Sequence, residues 1–302
     1  MKIVGKKEIL YIVITAILFS TMEVALKIAG GVLDAFQLTF IRFAIGGLFL
    51  LPFAIPDMKK RKVHLTASDW GYLAGLGIIC ICVSMILFQI AIVNANANLI
   101  SVLICSNPIF VMIFAHFIVK DRFTRKKALV LAVSLLGLVF AANPLHLSEG
   151  NTVCGILCGL LAAITFGLYT TMGKLRIAKI GDIPQTCFSF LIGSVLLLIP
   201  MIILDKPILA GITLSNLPTI LYLGVAVTGI GYYLYFMAIH ACGPSNASIV
   251  FFLKPMFAPI IALIVLQEAI TWNIVVGIAL LLTGSFINMK SSKKSQHKGD
   301  TL

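Results

Sequence analysis

Three ionisable residues lie inside otherwise apolar runs: Glu23, Arg42 and Lys254. Ionisable residues are costly within a membrane helix and mark functional sites there. Two cations and one acid leave a net positive centre. Such a centre suits an anionic or carboxylate-bearing ligand, with Arg42 and Lys254 as anchors. Glu23 is then their counter-charge and the candidate proton carrier. At about 1.5 Å per residue, Glu23 and Arg42 lie roughly 8–11 Å from one end of their runs, at depths that let them pair. Lys254 lies roughly 12 Å into its run from the other end, near the midplane. The competing reading is a structural Glu23–Arg42 pair and a snorkelling Lys254.

Other polar and aromatic residues complete the candidate binding set: Tyr232, Phe252, Gln89 and Asn107. Tyr233, Tyr235 and Phe251 are their neighbours in sequence. Rings beside a few polar groups suit an organic ligand, and they suit plain packing equally well. Pro108 and Pro255 each remove a backbone donor and are read as structural hinges. Asp121 and Glu268 end two of the runs and read as caps or loop salt bridges. A lone His116 reads as a packed or hydrogen-bonded residue. The seven cysteines lie in apolar runs without metal-ligand spacing and read as small packing residues.

The elements that must position these residues follow from composition. Of 302 residues, 60% are hydrophobic and 11% charged, against about 45–50% and about 25% in soluble domains. The mean hydropathy is +1.08. Soluble enzymes, disordered chains and collagen-like chains are excluded. Ten runs approach the roughly 20 apolar residues a membrane helix needs: 9–28, 35–55, 70–92, 98–119, 127–143, 152–173, 184–204, 216–240, 246–266 and 272–289. The formal charge of +12 would suggest nucleic acid in a soluble protein. Here nineteen of the 23 Lys and Arg residues fall in the N-terminal segment, alternate connections and the tail. That asymmetry places both termini in the cytoplasm, and no nucleic-acid partner is expected.

The chain also matches itself at a constant shift of 147 residues. Phe43 meets Phe190, Gly46 meets Gly193, and Gly77 meets Gly224. Lys27 meets Lys174, Pro108 meets Pro255, and Asp121 meets Glu268. Each half holds five runs, an odd number, so the second half enters the membrane from the opposite side. That is an inverted-topology repeat, the mark of many secondary transporters. The three buried charges break the repeat. Glu23, Arg42 and Lys254 meet Thr170, Ser189 and Asn107, so the scaffold is symmetric and the charges are not.

At the matched positions the first half reads Asn107-Pro108-Ile109-Phe110, then Asp121, Thr124 and Gly137. The second reads Lys254-Pro255-Met256-Phe257, then Glu268, Thr271, Gly277 and Gly284. This pattern, with Lys27 and Ile41-Arg42-Phe43, resembles the EamA repeat of the drug/metabolite transporter superfamily. Phe19-Ser20-Thr21-Met22-Glu23 departs from the Trp-Gly that many members carry there. The resemblance covers residues 9–143 and 152–289, leaving 290–302 as a basic cytoplasmic tail. It implies an all-α integral membrane protein of ten transmembrane helices, two inverted five-helix repeats around a central cavity. Helices one to four and six to nine would line that cavity, with the fifth and tenth at its edge.

The expected function is secondary transport of small organic metabolites, such as amino acids or other carboxylate-bearing compounds. Export by alternating access across a bacterial cell membrane is expected. The partners are then a small-molecule substrate, the lipid bilayer and a proton as candidate coupled ion. No cofactor or metal is called for. No H-E-x-x-H, G-x-S-x-G or P-loop is present, so neither a hydrolase of those types nor a self-powered ATPase is indicated. The alternative is a membrane-embedded enzyme or ion channel on a duplicated helical scaffold.

Overall fold

The computed structural model describes residues 6–118, 125–143, 149–242 and 249–283. Every regular element among them is a helix. We number the apolar rods in chain order. α1 comprises Lys6–Ser20 and Met22–Gly30, and α2 is Ala35–Arg61. α3 runs through Ala67–Gly77, a π-helical stretch Ile78–Met85, and Ile86–Asn94. α4 comprises Ala97–Cys105 and Asn107–Ile118, and α5 is Arg125–Ala142. α6 is Val153–Gly173 and α7 is Asp182–Ile203. α8 joins Leu217–Leu221, a second π-helical stretch Tyr222–Gly231, and Tyr232–Cys242. α9 is Ile249–Leu266 and α10 is Trp272–Thr283.

Seven rods are long and apolar enough to cross a membrane. The apolar helices at 132–142, 253–266 and 272–283 are shorter. The ten expected crossings therefore meet seven full-length rods and three shorter apolar stretches among the described residues.

Capping chemistry starts the rods where the sequence changes character. The Asp34 side chain accepts from Phe36 N at 2.8 Å and opens α2, satisfying a donor that a helix start leaves free. Asp69 accepts from Thr66 N at 2.9 Å at the start of α3, and Thr152 Oγ1 accepts from Gly155 N at 3.0 Å at the start of α6. Along α7, Val195, Ile199 and Ile202 are exposed while Phe190, Leu197 and Met201 are fully buried. One face thus meets lipid and the other meets protein.

The packing carries the repeat. The rings of Phe43 and Phe190, repeat partners, meet edge-on with centroids 4.7 Å apart. A residue that touches its own counterpart lies on the two-fold relating the halves. A Cβ on Gly46 would meet Thr228 Cγ2 at 2.6 Å and Gly224 O at 3.3 Å. A Cβ on Gly193 would meet Gly77 Cα at 2.8 Å. Shifted by 147 residues, Gly46 against Gly224 becomes Gly193 against Gly77, so one close contact is made twice. The π-helical stretches also fall in the equivalent rods, α3 and α8. At the edge, Gly137 of α5 backs onto α10, its Cβ position 3.0 Å from Gly277 O.

Replacing Gly77 or Gly193 by alanine should lower stability by about 1–3 kcal/mol through overpacking. Gly71 and Gly75 have open space at the Cβ position, so alanine there should leave the melting temperature unchanged or slightly raised. Thermal unfolding of the four purified variants checks this contrast.

Candidate functional site

The site begins where α1 is interrupted. The Ser20 hydroxyl donates to Ala16 O at 2.6 Å, and the Thr21 hydroxyl donates to Leu18 O at 2.7 Å. Hydroxyls that return to the preceding turn bend helices. Ser20 also approaches Lys254 O on α9 at 3.5 Å. One turn further, Lys254 Nζ donates to Glu23 Oε1 at 2.5 Å. Both side chains are 1% exposed. An ion pair from opposite halves of the chain is thus sealed in the core.

This corrects the expected partner of Glu23. Lys254 takes the carboxylate, and Arg42 lies within electrostatic reach of it without a hydrogen bond to it. The depth estimate placed Lys254 deeper than Glu23 because it assumed straight rods crossing along the normal. Side-chain length and the interruption of α1 bring the two together.

Arg42, fully buried, finds soft neighbours. Its Nη1 faces Met22 Sδ at 3.6 Å and its Nη2 faces Met85 Sδ at 3.1 Å. Its guanidinium carbon lies 4.5 Å from the Phe43 ring centroid. Its Nε has no hydrogen-bond partner among the described residues, and neither has Glu23 Oε2. Thioether sulfur is a weak acceptor, so this cation is held loosely. Sequence reading passed over Met22 and Met85 because a methionine in an apolar run carries no polar signal.

Tyr232 joins the site through its ring. Its centroid lies 5.2 Å from Phe19 and 5.1 Å from Phe190. It is also within electrostatic reach of Arg42. Tyr235 and Phe251 extend the cluster at 5.6 Å. Tyr233 stands apart, tilted against Phe53 with ring centroids 5.0 Å apart. The rings tie α1, α2, α7, α8 and α9 together, and each such pair adds about 0.5–1.5 kcal/mol beyond area burial.

Gln89 is fully buried, and its amide donates to Leu26 O at 3.3 Å, bracing α3 against α1. Asn107 donates to Ala163 O on α6 at 3.2 Å. Its repeat partner Lys254 faces α1 in the equivalent position. The Phe252 side chain and Asp121 lie outside the described residues, and His116 is exposed.

The two hinge prolines behave differently. Near Pro108, α4 is interrupted at Ser106, whose N–H and hydroxyl both donate to Leu103 O, at 3.2 and 2.5 Å. α9 stays helical through Pro255 and Pro259. Pro255 thus lies within a continuous helix, whereas Pro108 adjoins an interruption. Proline removes a hydrogen bond and kinks a helix, and neighbouring rods in a membrane bundle let the helix continue past it.

Charged clusters tie both ends of the bundle. At one end buried Asp69 accepts from Arg176 at 2.8 Å and pairs with Lys179. Arg61 donates to Ala178 O at 2.8 Å beside it. At the other end Lys27 pairs with Glu268 at 3.0 Å. Basic residues that first read only as orientation signals thus also bridge the halves.

Lys254→Met or Glu23→Gln should each cost about 3–5 kcal/mol, since each strips a buried charge of its partner. The double replacement Glu23→Met with Lys254→Met should melt above either single variant. A double variant melting below both would contradict the pairing.

The EamA-like transporter family model matches residues 6–143 and 153–290. An uncharacterized transporter of Clostridium kluyveri is 38% identical over 296 residues, 96% of this chain and 95% of its own length. The uncharacterized transporter YoaV of Bacillus subtilis is 28% identical over 289 residues, 93% of this chain and 96% of its own. A crystal structure at 19% identity shares the fold with a TM-score of 0.67, covering 95% of this chain and 98% of that one. Matched in both halves by one family model, and along nearly its whole length by transporters rather than enzymes, this membrane protein belongs to the EamA-like transporter family.

Proposed function

We propose that the transporter moves small organic metabolites bearing a carboxylate, amino acids among them, out of a bacterial cell by alternating access of its two halves. The observation that carries this reading is the charge balance of the core. Glu23 neutralises Lys254 at 2.5 Å, while Arg42 rests on two thioethers and a ring. A substrate carboxylate would give Arg42 the bidentate, charge-assisted partner that sulfur does not. It would also bring the core to neutrality. The positive-inside distribution supports cytoplasmic termini, and the repeat supports two states of similar energy exchanged by rocking. We divide the chain into repeats 9–143 and 152–289 and the tail 290–302.

A thermal-shift screen of the purified protein against amino acids, other carboxylates and nucleosides tests the substrate class. A ligand at one hundred times its Kd stabilises by about 2.7 kcal/mol. Carboxylates should raise the melting temperature of the wild type and leave Arg42→Ala unmoved. Stabilisation by uncharged nucleosides alone would overturn the reading. In proteoliposomes loaded with equal amounts of folded protein, Lys254→Ala should abolish movement of the stabilising compound.

Glu23 is the proposed proton carrier, since one of its carboxylate oxygens has no hydrogen-bond partner among the described residues. Collapse of a pH gradient should then slow wild-type transport. Glu23→Gln should transport at a rate indifferent to the gradient, and full gradient dependence in that variant would remove the role from Glu23.

A further inference from the structure

The end of the bundle bearing Lys27 is held by one carboxylate. α9 ends at Leu266, and Gln267 takes a left-handed backbone, φ 57°. A residue in that conformation terminates helices and reverses the chain. The reversal directs Glu268 onto the start of α4. Its Oε1 accepts from Ala97 N at 3.0 Å and its Oε2 from Asn98 N at 3.1 Å. The Lys27 ammonium lies 3.0 Å from Oε1 and also donates to Ala95 O at 2.6 Å, closing the α3–α4 corner. Asn98 returns a bond to Ala269 O at 3.0 Å. Glu268 is 8% exposed at its side chain and Lys27 27%. A carboxylate on two helix N-terminal donors and an ammonium is strongly held.

Two features set this cluster apart from ordinary capping. It joins α1, α4 and α9, the rods that carry Glu23, Asn107 and Lys254. The cap therefore comes from the second half and closes on the first. In addition, the same two charge types recur in sequence at Lys174 and Asp121, of which Asp121 lies outside the described residues. A rocking motion that parts α1 and α4 from α9 at this end must pull Glu268 off the α4 N-terminus.

We propose that Glu268 is a gating residue. With Lys27 and the Ala97 and Asn98 amides it latches this end of the bundle shut, and each transport cycle releases the latch. The role rests on the alternating-access reading, and the outer face is the latched one when the termini are cytoplasmic. Release exposes the path to the Glu23–Lys254 pair. Cys105 lies beside that pair electrostatically and is itself buried. It is eight residues along α4 from Ala97, about 12 Å deeper, and so reports on the opening.

The test uses the full-length chain with Cys105 as its one cysteine, reconstituted in vesicles. A membrane-impermeant thiol reagent is added from the Lys27 side. Glu268→Ala should raise the labelling rate about ten-fold, which corresponds to about 1.4 kcal/mol removed from the closed state. Glu268→Gln should raise it less, because its amide oxygen still accepts one N–H. Lys27→Met should have the smallest effect, because the carboxylate keeps both backbone donors. Asp69→Asn, which loosens the opposite end, should leave labelling from this side unchanged. Bridging Lys27→Cys to Glu268→Cys with a cleavable thiol cross-linker, before a third cysteine at Cys105 is probed, should protect Cys105 until the linker is cut. Unchanged labelling in Glu268→Ala, or free labelling in the bridged protein, would overturn the latch. A structural role alone would lower the melting temperature and leave labelling at the wild-type rate. If Cys105 opens as expected while no carboxylate binds, the latch stands and the substrate reading falls.

Discussion

The Glu23–Lys254 ion pair is the constraint around which the core is arranged. Two charges without water must face one another closely, because each alone costs several kcal/mol at such depth. That requirement joins α1 to α9 across the two halves of the chain. It leaves Arg42 without a hydrogen bond to the carboxylate, among Met22, Met85 and Phe43. A pair of this kind contributes little net stability compared with apolar packing. Its consequence is registry: α1 and α9 fit in the one alignment that satisfies both charges. The ring cluster of Phe19, Phe251, Tyr232 and Tyr235 then packs beside that alignment.

The two halves share a packing plan and differ in the shape of equivalent rods. Gly46 on Gly224 and Gly77 on Gly193 keep the plan symmetric. α1 is interrupted at Thr21, while its partner α6 runs straight from Val153 to Gly173. α4 is interrupted at Ser106, while its partner α9 is continuous. In both cases the first half is broken and the second is whole. Hydroxyls mark both interruptions: Ser20, Thr21 and Ser106 bond back to preceding carbonyls, and their repeat partners are Gly167, Leu168 and Leu253. Such bonds do not suffice for a break, since Thr165, Thr170 and Thr171 make them within the continuous α6. The prolines, present in both halves, do not decide it.

Much of this plan was legible in residues 1–302 before any coordinates. Apolar runs locate the rods because lipid and a packed interior both demand them. The 147-residue shift locates the two-fold because matched glycines and Phe43/Phe190 serve contacts that backbone geometry dictates. The choice of partners was not legible. Glu23 and Arg42 have compatible depths, and a sequence does not carry the azimuth of each rod. The soft shell around Arg42 was hidden for a different reason: Met22 and Met85 are apolar by composition and become ligands through proximity alone. The break at Ser106 rather than at Pro255 depends on how neighbouring rods accommodate a missing hydrogen bond, which is a tertiary property.

Polar contacts at the two ends divide by the same symmetry. Asp69, Arg176 and Lys179 form a dense network, yet their repeat counterparts are Asn216, Ala29 and Val32, which cannot form an ion cluster. Lys27 and Glu268 have counterparts of the same charge, Lys174 and Asp121. An inverted repeat that alternates between two states must use each half in both roles, so contacts serving the alternation recur while contacts serving one fixed end need not. By that criterion, under the proposed alternating access, the Asp69 network would belong to the static frame and the Lys27–Glu268 pair to the moving part. The buried charges belong to neither class. Glu23, Arg42 and Lys254 have uncharged counterparts and lie between the two ends. There, under the proposed function, a single ligand would be held by both halves at once, and symmetry would have no use.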